Sequence, residues 1–253
     1  GGLGNQLFQY ATGRAVASLH KLPLKLDLTW FETHNLHNGY RLDQLAIQAD
    51  IAIKKEIIKV KGGNNLLFSA LRKVGLVKRK SYFKEKRSSY FDASVFKNNF
   101  IYLEGYWQNE LYFSKIRDLL LRELSPISPM NDVGCSYLKC IKNSNSVSLH
   151  VRRGDYLKLK NIGVLDVDYY ISAVEHIRKN VEKPTFYVFS DDLEWCKNSL
   201  GFLDGCIYVD RTQGDIEDLK LMSFCRHNII ANSSFSWWGA WLNQNPNKTV
   251  IAP

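Results

Sequence analysis

The chain lacks the features of a membrane-spanning or nicotinamide-binding protein. None of its 253 residues lie in an apolar run approaching the roughly 18 that a spanning helix needs. The opening GGLGN, residues 1–5, lacks the third glycine of a GxGxxG loop, and no GK[ST] follows it as in a P-loop. No ribose-binding acid follows at the expected spacing of about 20 residues. A nicotinamide oxidoreductase and a P-loop enzyme are therefore not expected.

Cysteine is too scarce and too irregularly spaced for a disulfide framework. The number of cysteines is odd, and three of them lie in apolar or amphipathic stretches. They are Cys135, Cys140, Cys196, Cys206 and Cys225. We therefore expect five reduced thiols and a cytoplasmic protein.

Acidic residues are few between residues 54 and 97. This stretch holds 13 Lys and Arg but only three acidic residues, in a chain of net charge +9. It is either a solvated surface or a surface that attracts an anionic partner such as lipid headgroups, a phosphorylated carrier or nucleic acid. Its aromatic residues do not follow the spacing of RNA-binding modules, so no nucleic-acid partner is expected.

The second half of the chain has a regular pattern. The segment LSPISPMND, 124–132, contains two prolines and no periodicity, which predicts a boundary between domains 1–125 and 126–253. Beyond it, near-continuous apolar strands alternate with helical segments, which is typical of a parallel sheet covered on both faces. The first half predicts a glycine turn, a helix over GNQLFQYATGRAVASLH, the strand LPLKLDLT, and a helix over residues 109–124.

Two α/β domains in series predict a ligand in a cleft between them, at the carboxyl ends of strands. The loop HVRRGDY, 150–156, follows the predicted strand SVSLHV and places Arg152, Arg153 and Asp155 at such an end. The arginine fork matches phosphate or carboxylate. An Arg–Asp pair that only braces the loop is the alternative, and a compromise has one arginine bracing and the other binding.

Three other strand ends carry polar groups. Ser233 and Ser234 precede a helix whose free N–H groups suit a phosphate, although simple capping explains one serine. Asp218 lies 16 residues before Ser234 and can accept a guanine edge or serve the helix dipole. The run Ser190–Asp192 either caps a helix or contacts a ribose.

Two metal-like patterns are discounted. DVD, 166–168, resembles a D-x-D metal motif, but it opens a predicted helix and N-capping explains it better. HNLH, 34–37, lacks a supporting cysteine or carboxylate cluster. The opening glycines predict a close-approach turn from which Asn5 and Gln6 point into the cleft.

Several of these segments together resemble one enzyme family. GGLGNQLFQYA, HVRRGDY, FSDDLEWC and NSSFSWWGAWL are similar, in order, to the signatures of bacterial α1,2-fucosyltransferases of glycosyltransferase family 11. The resemblance implies a GT-B fold with two Rossmann-like domains whose parallel sheets face a cleft. It implies GDP-β-L-fucose as donor, a terminal galactose of an oligosaccharide as acceptor, inversion, and no metal or other cofactor. Another GDP-sugar or linkage is the main alternative.

The resemblance also assigns residues. It implies that His150 and Arg152 contact the donor pyrophosphate, that Asp218 binds guanine, that Ser234 binds phosphate, and that Asn5 lies near the reacting centre. The predicted donor-binding set is Gly2, Asn5, His150, Arg152, Arg153, Ser190, Asp191, Asp218, Ser233, Ser234 and Phe235. The resemblance further implies an acceptor-side first domain, a donor-binding second domain, and a first strand preceding Gly1.

The catalytic base does not transfer from the wider fucosyltransferase group. Where α1,6 enzymes have a glutamate after the arginine motif, this chain has Lys160. Asp155 is the only carboxylate in the arginine loop and is our candidate base, with His150 as the alternative and assistance by the donor phosphate as a third route. A purely structural Asp155–Arg pair is the main rival to that role. For the basic stretch 54–97 we expect peripheral contact with the inner face of a bacterial plasma membrane, toward lipid-linked acceptors.

Overall fold

The chain divides into two compact units, Gly1–Ser125 and Pro126–Pro253. The computed structural model describes residues 1–34, 38–61, 82–87, 90–97, 99, 101–158, 163–210, 212 and 214–253. Lys160, His37 and the middle of the basic stretch lie outside the described residues. In the part of the chain that is described, no helix combines the length and the apolar content needed to cross a bilayer.

The first unit contains one long buried helix, α1 (Leu3–His20). Gly2 is its N-cap, with extended backbone, and Lys21 ends it with φ 54° in the left-handed region. Twelve of its 18 residues are buried, so α1 is a core helix rather than a surface helix with one apolar stripe.

The other described elements of the first unit are short. Strand β1 (Lys25–Leu26) pairs in parallel with β2 (Asp50–Ile51), and β3 (Tyr82–Lys84) pairs in parallel with β4 (Tyr102–Glu104). The helices α2 (Lys54–Lys61) and α3 (Arg117–Glu123) follow β2 and β4 in the chain. Single 3-10 turns occur at Leu42–Gln44, Ala93–Lys97, Glu110–Tyr112 and Ser114–Ile116.

A buried ion pair joins α1 to α3. Glu123 is 5% exposed. It accepts a hydrogen bond from the Tyr10 hydroxyl at 2.5 Å and bonds from Arg14 Nε and Nη2 at 2.9–3.0 Å. Since a buried carboxylate without donors would be strongly destabilising, these contacts hold the two helices in one arrangement.

Two predicted elements of this unit were wrong in extent. The strand predicted over LPLKLDLT is reduced to Lys25–Leu26. The reason is local: Asp27 Oδ1 accepts from the Thr29 backbone N–H at 2.9 Å and from its hydroxyl at 2.6 Å, which turns the chain. The helix predicted to begin at Gly4 is confirmed and starts one residue earlier, at Leu3, with Gly2 as its N-cap.

The helix predicted over residues 109–124 was also too long. Asn109 Oδ1 accepts from the Leu111 N–H at 3.0 Å and starts a 3-10 turn. A second 3-10 turn follows, and the α-helix begins only at Arg117. The asparagine competes for the backbone N–H groups that an α-helix would have used.

The second unit is built on a five-stranded parallel sheet. The strands are β5 (Asn145–Val151), β6 (Pro184–Ser190), β7 (Ile207–Tyr208), β8 (His227–Ile229) and β9 (Val250–Ile251). Their order across the sheet is β7-β6-β5-β8-β9. The helices are α4 (Asp132–Lys142), α5 (Val167–Asn180), α6 (Leu193–Ser199), α7 (Asp215–Phe224) and α8 (Ser234–Leu242). The predicted alternation of strands and helices is confirmed.

Both faces of this sheet are covered, as predicted for apolar parallel strands. On one face, Leu149 and Val188 pack with Val174 and Ile177 of α5. On the other face, Tyr187 and Phe189 of β6 pack with residues of α4 and α7. Since side chains alternate along a strand, Ser148 and His150 of β5 point to the side opposite Leu149, and both are buried.

A polar network holds β8 beside β5. Asn228 Nδ2 donates to Ser148 Oγ at 2.7 Å and to the Met222 carbonyl at 3.0 Å. Asn243 Nδ2 donates in turn to Asn228 Oδ1 at 2.7 Å and to the Cys225 carbonyl at 2.7 Å. These buried amides therefore fix the position of β8, whose carboxyl end leads into the loop before α8.

The five cysteines are free thiols. Cys196 and Cys225 are buried, Cys206 is half-buried, and Cys135 and Cys140 are exposed on α4. Burial raises the pKa of the Cys196 thiol to about 11. That thiol is therefore a packing residue and not a nucleophile.

Candidate functional site

The loop after β5 presents the first of two arginines. Arg152 Nη2 lies 2.6 Å from Asp155 Oδ1, and Arg152 Nη1 lies 3.2 Å from Asp191 Oδ2. Asp155 begins a 3-10 turn that extends to Lys158. One guanidinium thus faces two carboxylates, and the Arg–Asp pair that the sequence left as an alternative is present.

The second arginine packs against α6. The Arg153 guanidinium lies over the Trp195 ring at 4.0 Å from its centre, and Arg153 Nε donates to Asp192 Oδ2 at 3.3 Å. These two contacts make Arg153 the bracing arginine, as the compromise interpretation expected of one of the pair. A donor contact by Arg153 stays a prediction.

Asp191 organises the arginine loop from the neighbouring strand. Its Oδ1 accepts the Arg153 backbone N–H at 2.9 Å, while its Oδ2 pairs with Arg152. A Cβ on Gly154 would lie 2.7 Å from the same Oδ2, so the close approach requires glycine there. Asp191 was predicted as a donor-binding residue near the ribose. In the structure Asp191 holds the arginine loop through these contacts. Its predicted contact with the donor stays a prediction.

Ser190 and Asp192, on either side of Asp191, accept hydrogen bonds from backbone N–H groups nearby in the chain. Ser190 Oγ accepts the Asp192 N–H at 2.9 Å. Asp192 Oδ1 caps α6 by accepting the Trp195 N–H at 3.1 Å. The capping interpretation therefore explains these two residues, and their predicted ribose contact stays a prediction.

His150 is buried at the carboxyl end of β5. It is 4% exposed, and its ring centre lies 5.6 Å from that of Phe235 on α8. Its Nδ1 has no hydrogen-bond partner among the described residues. Burial, reinforced by the charge of Arg152, lowers the pKa of His150 to about 4. The imidazole is therefore neutral at pH 7, so the ring can donate or accept a hydrogen bond without carrying a charge.

The start of α8 adjoins the arginine loop. Ser233 caps the helix by accepting the Phe235 N–H at 3.3 Å, and Ser234 is the first helical residue. Tyr156 links the two segments: its hydroxyl donates to the Asn232 carbonyl at 3.3 Å, and its ring lies 5.4 Å from the Arg152 guanidinium carbon. Sequence reasoning missed Tyr156, although it lies in the same loop, HVRRGDY, as Arg152.

Asp218 lies in the first turn of α7, after β7. Its Oδ1 accepts the Thr212 hydroxyl at 2.8 Å. Burial raises the pKa of Asp218 to about 6, and the nearby charges of Asp215 and Glu217 act in the same direction. A carboxylate with this pKa gains from donors that favour its charged form, such as a pair of N–H groups.

Two predicted site residues lie in the first unit. Gly2 is the N-cap of α1, and its carbonyl accepts the N–H groups of Asn5 and Gln6 at 3.1 Å. The Asn5 side-chain oxygen accepts from Gln108 Nε2 at 2.8 Å. Their predicted roles in donor binding and near the reacting centre stay predictions.

The discounted metal pattern at residues 166–168 has a local role. Asp166 is the N-cap of α5 and accepts the Tyr169 N–H at 3.1 Å. Among the described residues, no three His, Cys, Asp or Glu side chains are grouped in a way that could hold a metal ion. The HNLH pattern falls mostly outside those residues.

Comparison with protein families gives a match over the whole chain. The model of glycosyl transferase family 11 matches residues 1–253. An α-1,2-colitosyltransferase of Escherichia coli is 36% identical over 263 residues, covering 100% of this chain and 89% of the relative. The O-antigen biosynthesis glycosyltransferase WbnK of E. coli is 33% identical, covering 100% and 91%. Human galactoside α-(1,2)-fucosyltransferase 1 is 28% identical over 166 residues, 56% of this chain and 43% of the relative.

Solved fucosyltransferase structures share the fold. POFUT1 in complex with GDP-fucose has a TM-score of 0.54 at 12% identity, covering 100% of this chain and 95% of that one. An Arabidopsis thaliana FUT1 mutant in complex with GDP has a TM-score of 0.53 at 13% identity, covering 100% and 68%. At these identities the similarity concerns the fold alone, and the predicted GT-B class with parallel sheets is confirmed.

The electrostatics of His150 can be measured directly. We expect its imidazole to stay neutral down to about pH 4, because burial and Arg152 both disfavour the imidazolium. The measurement is a pH titration of histidine ring resonances by NMR, with the His150 signal identified by its loss in His150→Gln. A midpoint near the ordinary value of about 6.5 would contradict the buried environment.

Proposed function

Because the chain belongs to glycosyl transferase family 11, we propose that it transfers L-fucose from GDP-β-L-fucose to the 2-hydroxyl of a terminal β-galactoside. The acceptor would be an O-antigen or lipid-linked oligosaccharide, and the product an α1,2-fucoside. A different GDP-sugar is the alternative, and colitose is the specific candidate because the E. coli colitosyltransferase is 36% identical. The proposal assigns donor binding to Pro126–Pro253 and acceptor binding to Gly1–Ser125.

One observation supports donor binding above the others. Arg152 and the N-terminus of α8 follow adjacent strands, β5 and β8, and Tyr156 connects them. A guanidinium fork and a helix N-terminus each favour phosphate oxygens. Ser234 and the neutral ring of His150 add hydrogen-bonding groups beside them.

In the proposed reaction the acceptor 2-oxygen attacks C1 of the sugar from the face opposite the nucleotide. The C1–O bond to the β-phosphate breaks, and GDP leaves with the electron pair, so the anomeric configuration inverts. Arg152 and the α8 N-terminus would stabilise the charge that develops on the leaving phosphate. Because such fixed donors act where charge develops, they supply what a divalent cation would otherwise supply, and we propose a metal-independent reaction.

The acceptor proton must pass to a base. Asp155 is the proposed base, since its carboxylate lies in the loop that carries Arg152. His150 is the alternative, and it is disfavoured because its ring is buried, 4% exposed, and packs beside Phe235. The glutamate that α1,6-fucosyltransferases have after the arginine motif is replaced in this sequence by Lys160, which lies outside the described residues.

The function is tested by GDP release with a panel of nucleotide sugars and β-galactoside acceptors, with and without EDTA. We expect turnover with GDP-fucose that EDTA leaves unchanged. Turnover with GDP-colitose alone would agree with the family but would show that the transferred sugar is colitose and not fucose. Loss of turnover in EDTA would contradict the metal-independent mechanism.

The same assay tests the phosphate role of Arg152. Arg152→Ala should lower kcat/KM by about 10²–10³-fold, and Arg152→Lys by less, because lysine keeps the charge but loses the fork. Arg178→Lys is the matched control, since Arg178 lies on α5, outside the predicted donor-binding set, and donates to the Phe202 carbonyl. Normal turnover in both Arg152 variants would contradict the assignment of Arg152 to the donor phosphates.

Asp218 predicts how donor affinity depends on pH. The ionised carboxylate accepts the guanine N–H groups, and its pKa of about 6 means that this form is lost as the pH falls through 6. GDP-fucose affinity should therefore be constant above pH 7 and decline below about pH 6. GDP-fucose is the ligand of choice because its diphosphate diester lacks the phosphate ionisation near pH 6. Asp218→Asn should bind more weakly and abolish this dependence, whereas an unchanged pH profile would contradict guanine recognition by Asp218.

We also propose peripheral binding to the inner face of the bacterial plasma membrane, which would bring a cytoplasmic enzyme to lipid-linked acceptors. Helix α2 and the residues just before it support this. Ile51, Ile53 and Ile58 are 49%, 61% and 59% exposed, beside the exposed Lys55 and Lys59 of α2. Exposed isoleucines interleaved with lysines suit the interface of an anionic bilayer.

Vesicle sedimentation tests this surface. Binding to phosphatidylglycerol-containing vesicles should fall when salt rises from 0.15 M to about 1 M, because the screening length shortens from about 8 Å to about 3 Å. The double variant Ile53→Glu, Ile58→Glu should bind less than the wild type. Leu111→Glu is the matched control, since Leu111 is 60% exposed in the same unit. Equal binding by all three proteins would exclude α2 as the contact.

A further inference from the structure

The charges around Arg152 are out of balance. Its guanidinium contacts Asp155 at 2.6 Å and Asp191 at 3.2 Å. Arg153, the adjacent cation, is paired with a third carboxylate, that of Asp192. These two arginines therefore face three carboxylates at the place where the proposed function puts a diphosphate.

A diphosphate cannot simply add to this arrangement. It would bring about two further negative charges within contact distance of Asp155 and Asp191, and like charges at about 4 Å repel by at least about 1 kcal/mol even in water. Arg152 must therefore give up one carboxylate when a diphosphate binds. The question is which of the two leaves.

Asp191 is the better held of the two. Its Oδ1 also accepts the Arg153 backbone N–H at 2.9 Å, and its Oδ2 lies against Gly154. The Asp155 side chain is more exposed, 35% against 26% for Asp191, and belongs to a short 3-10 turn. Displacing Asp191 would also remove the acceptor of the Arg153 N–H and disturb the loop, so Asp155 is the carboxylate that leaves.

We propose that Asp155 occupies the phosphate position on Arg152 in the empty site and is displaced by the diphosphate of the donor. This inference rests on the proposed function and adds to it the order in which the steps occur. Donor binding frees the carboxylate that then accepts the proton of the acceptor hydroxyl, while the sugar–phosphate bond breaks and GDP leaves. Asp155 is paired and unreactive until the donor is bound.

The test is the affinity of Asp155→Asn for GDP, measured by calorimetry beside its affinity for guanosine. Removing the competing charge should tighten GDP binding about five- to tenfold, because the diphosphate no longer has to break an ion pair. Guanosine has no phosphate, so its affinity should not change. Transfer should be lost in the same variant.

Asp166→Asn is the matched control. It removes one carboxylate of the same unit, outside the proposed donor site, and asparagine can still cap α5. Its GDP affinity should change less than twofold. If Asp155→Asn lowers the melting temperature, Asp155→Ala gives a second measurement, with guanosine binding as the check on folding.

Weaker or unchanged GDP binding in both Asp155 variants would overturn the proposal, because a carboxylate that only braces Arg152 would loosen the site on removal. Equal tightening in Asp166→Asn would also overturn it, since the effect would then be one of net charge. Failure of the wild-type protein to bind GDP would refute the proposed function itself, a result that is distinct from either.

Discussion

The contact of Asp191 with the arginine loop is the interaction on which the candidate site depends. One carboxylate at the end of β6 accepts the Arg153 backbone N–H, pairs with Arg152 and lies against Gly154. Because β6 and β5 pair along seven residues, the position of Asp191 relative to that loop is set by the sheet. The loop is therefore held by a rigid element beside it, which is the condition for a preorganised binding group.

The location of the site could be predicted from the sequence, because it follows from apolar patterning. Strands buried on both faces are near-continuous apolar runs, and the polar segments that end them mark one edge of the sheet. Arg152, Arg153 and Ser233 were found in this way, together with the parallel sheet of the second unit. His150 and the GT-B class came from the family resemblance. In the first unit the patterning is weaker, since a single side chain, Asp27, ends β1 after two residues.

The partners within the site could not be predicted. Nothing in HVRRGDY shows that Arg152 reaches two carboxylates while Arg153 turns to Trp195, since the two arginines are chemically identical and adjacent in sequence. Their difference arises from the alternation of side chains at a strand end and from the aspartates that the neighbouring strand supplies. The same limit applies to Glu123, whose partners Tyr10 and Arg14 lie more than 100 residues away in the chain.

The burial of His150 and the charge of Arg152 belong to one arrangement. An imidazolium two residues before Arg152 would be a second cation in a desolvated position, and both effects keep the ring neutral. The neutral ring packs against Phe235 at the start of α8. Positive potential at this strand end then comes from Arg152 and a helix N-terminus. Asp218, whose pKa burial raises to about 6, relates the proposed donor site to pH.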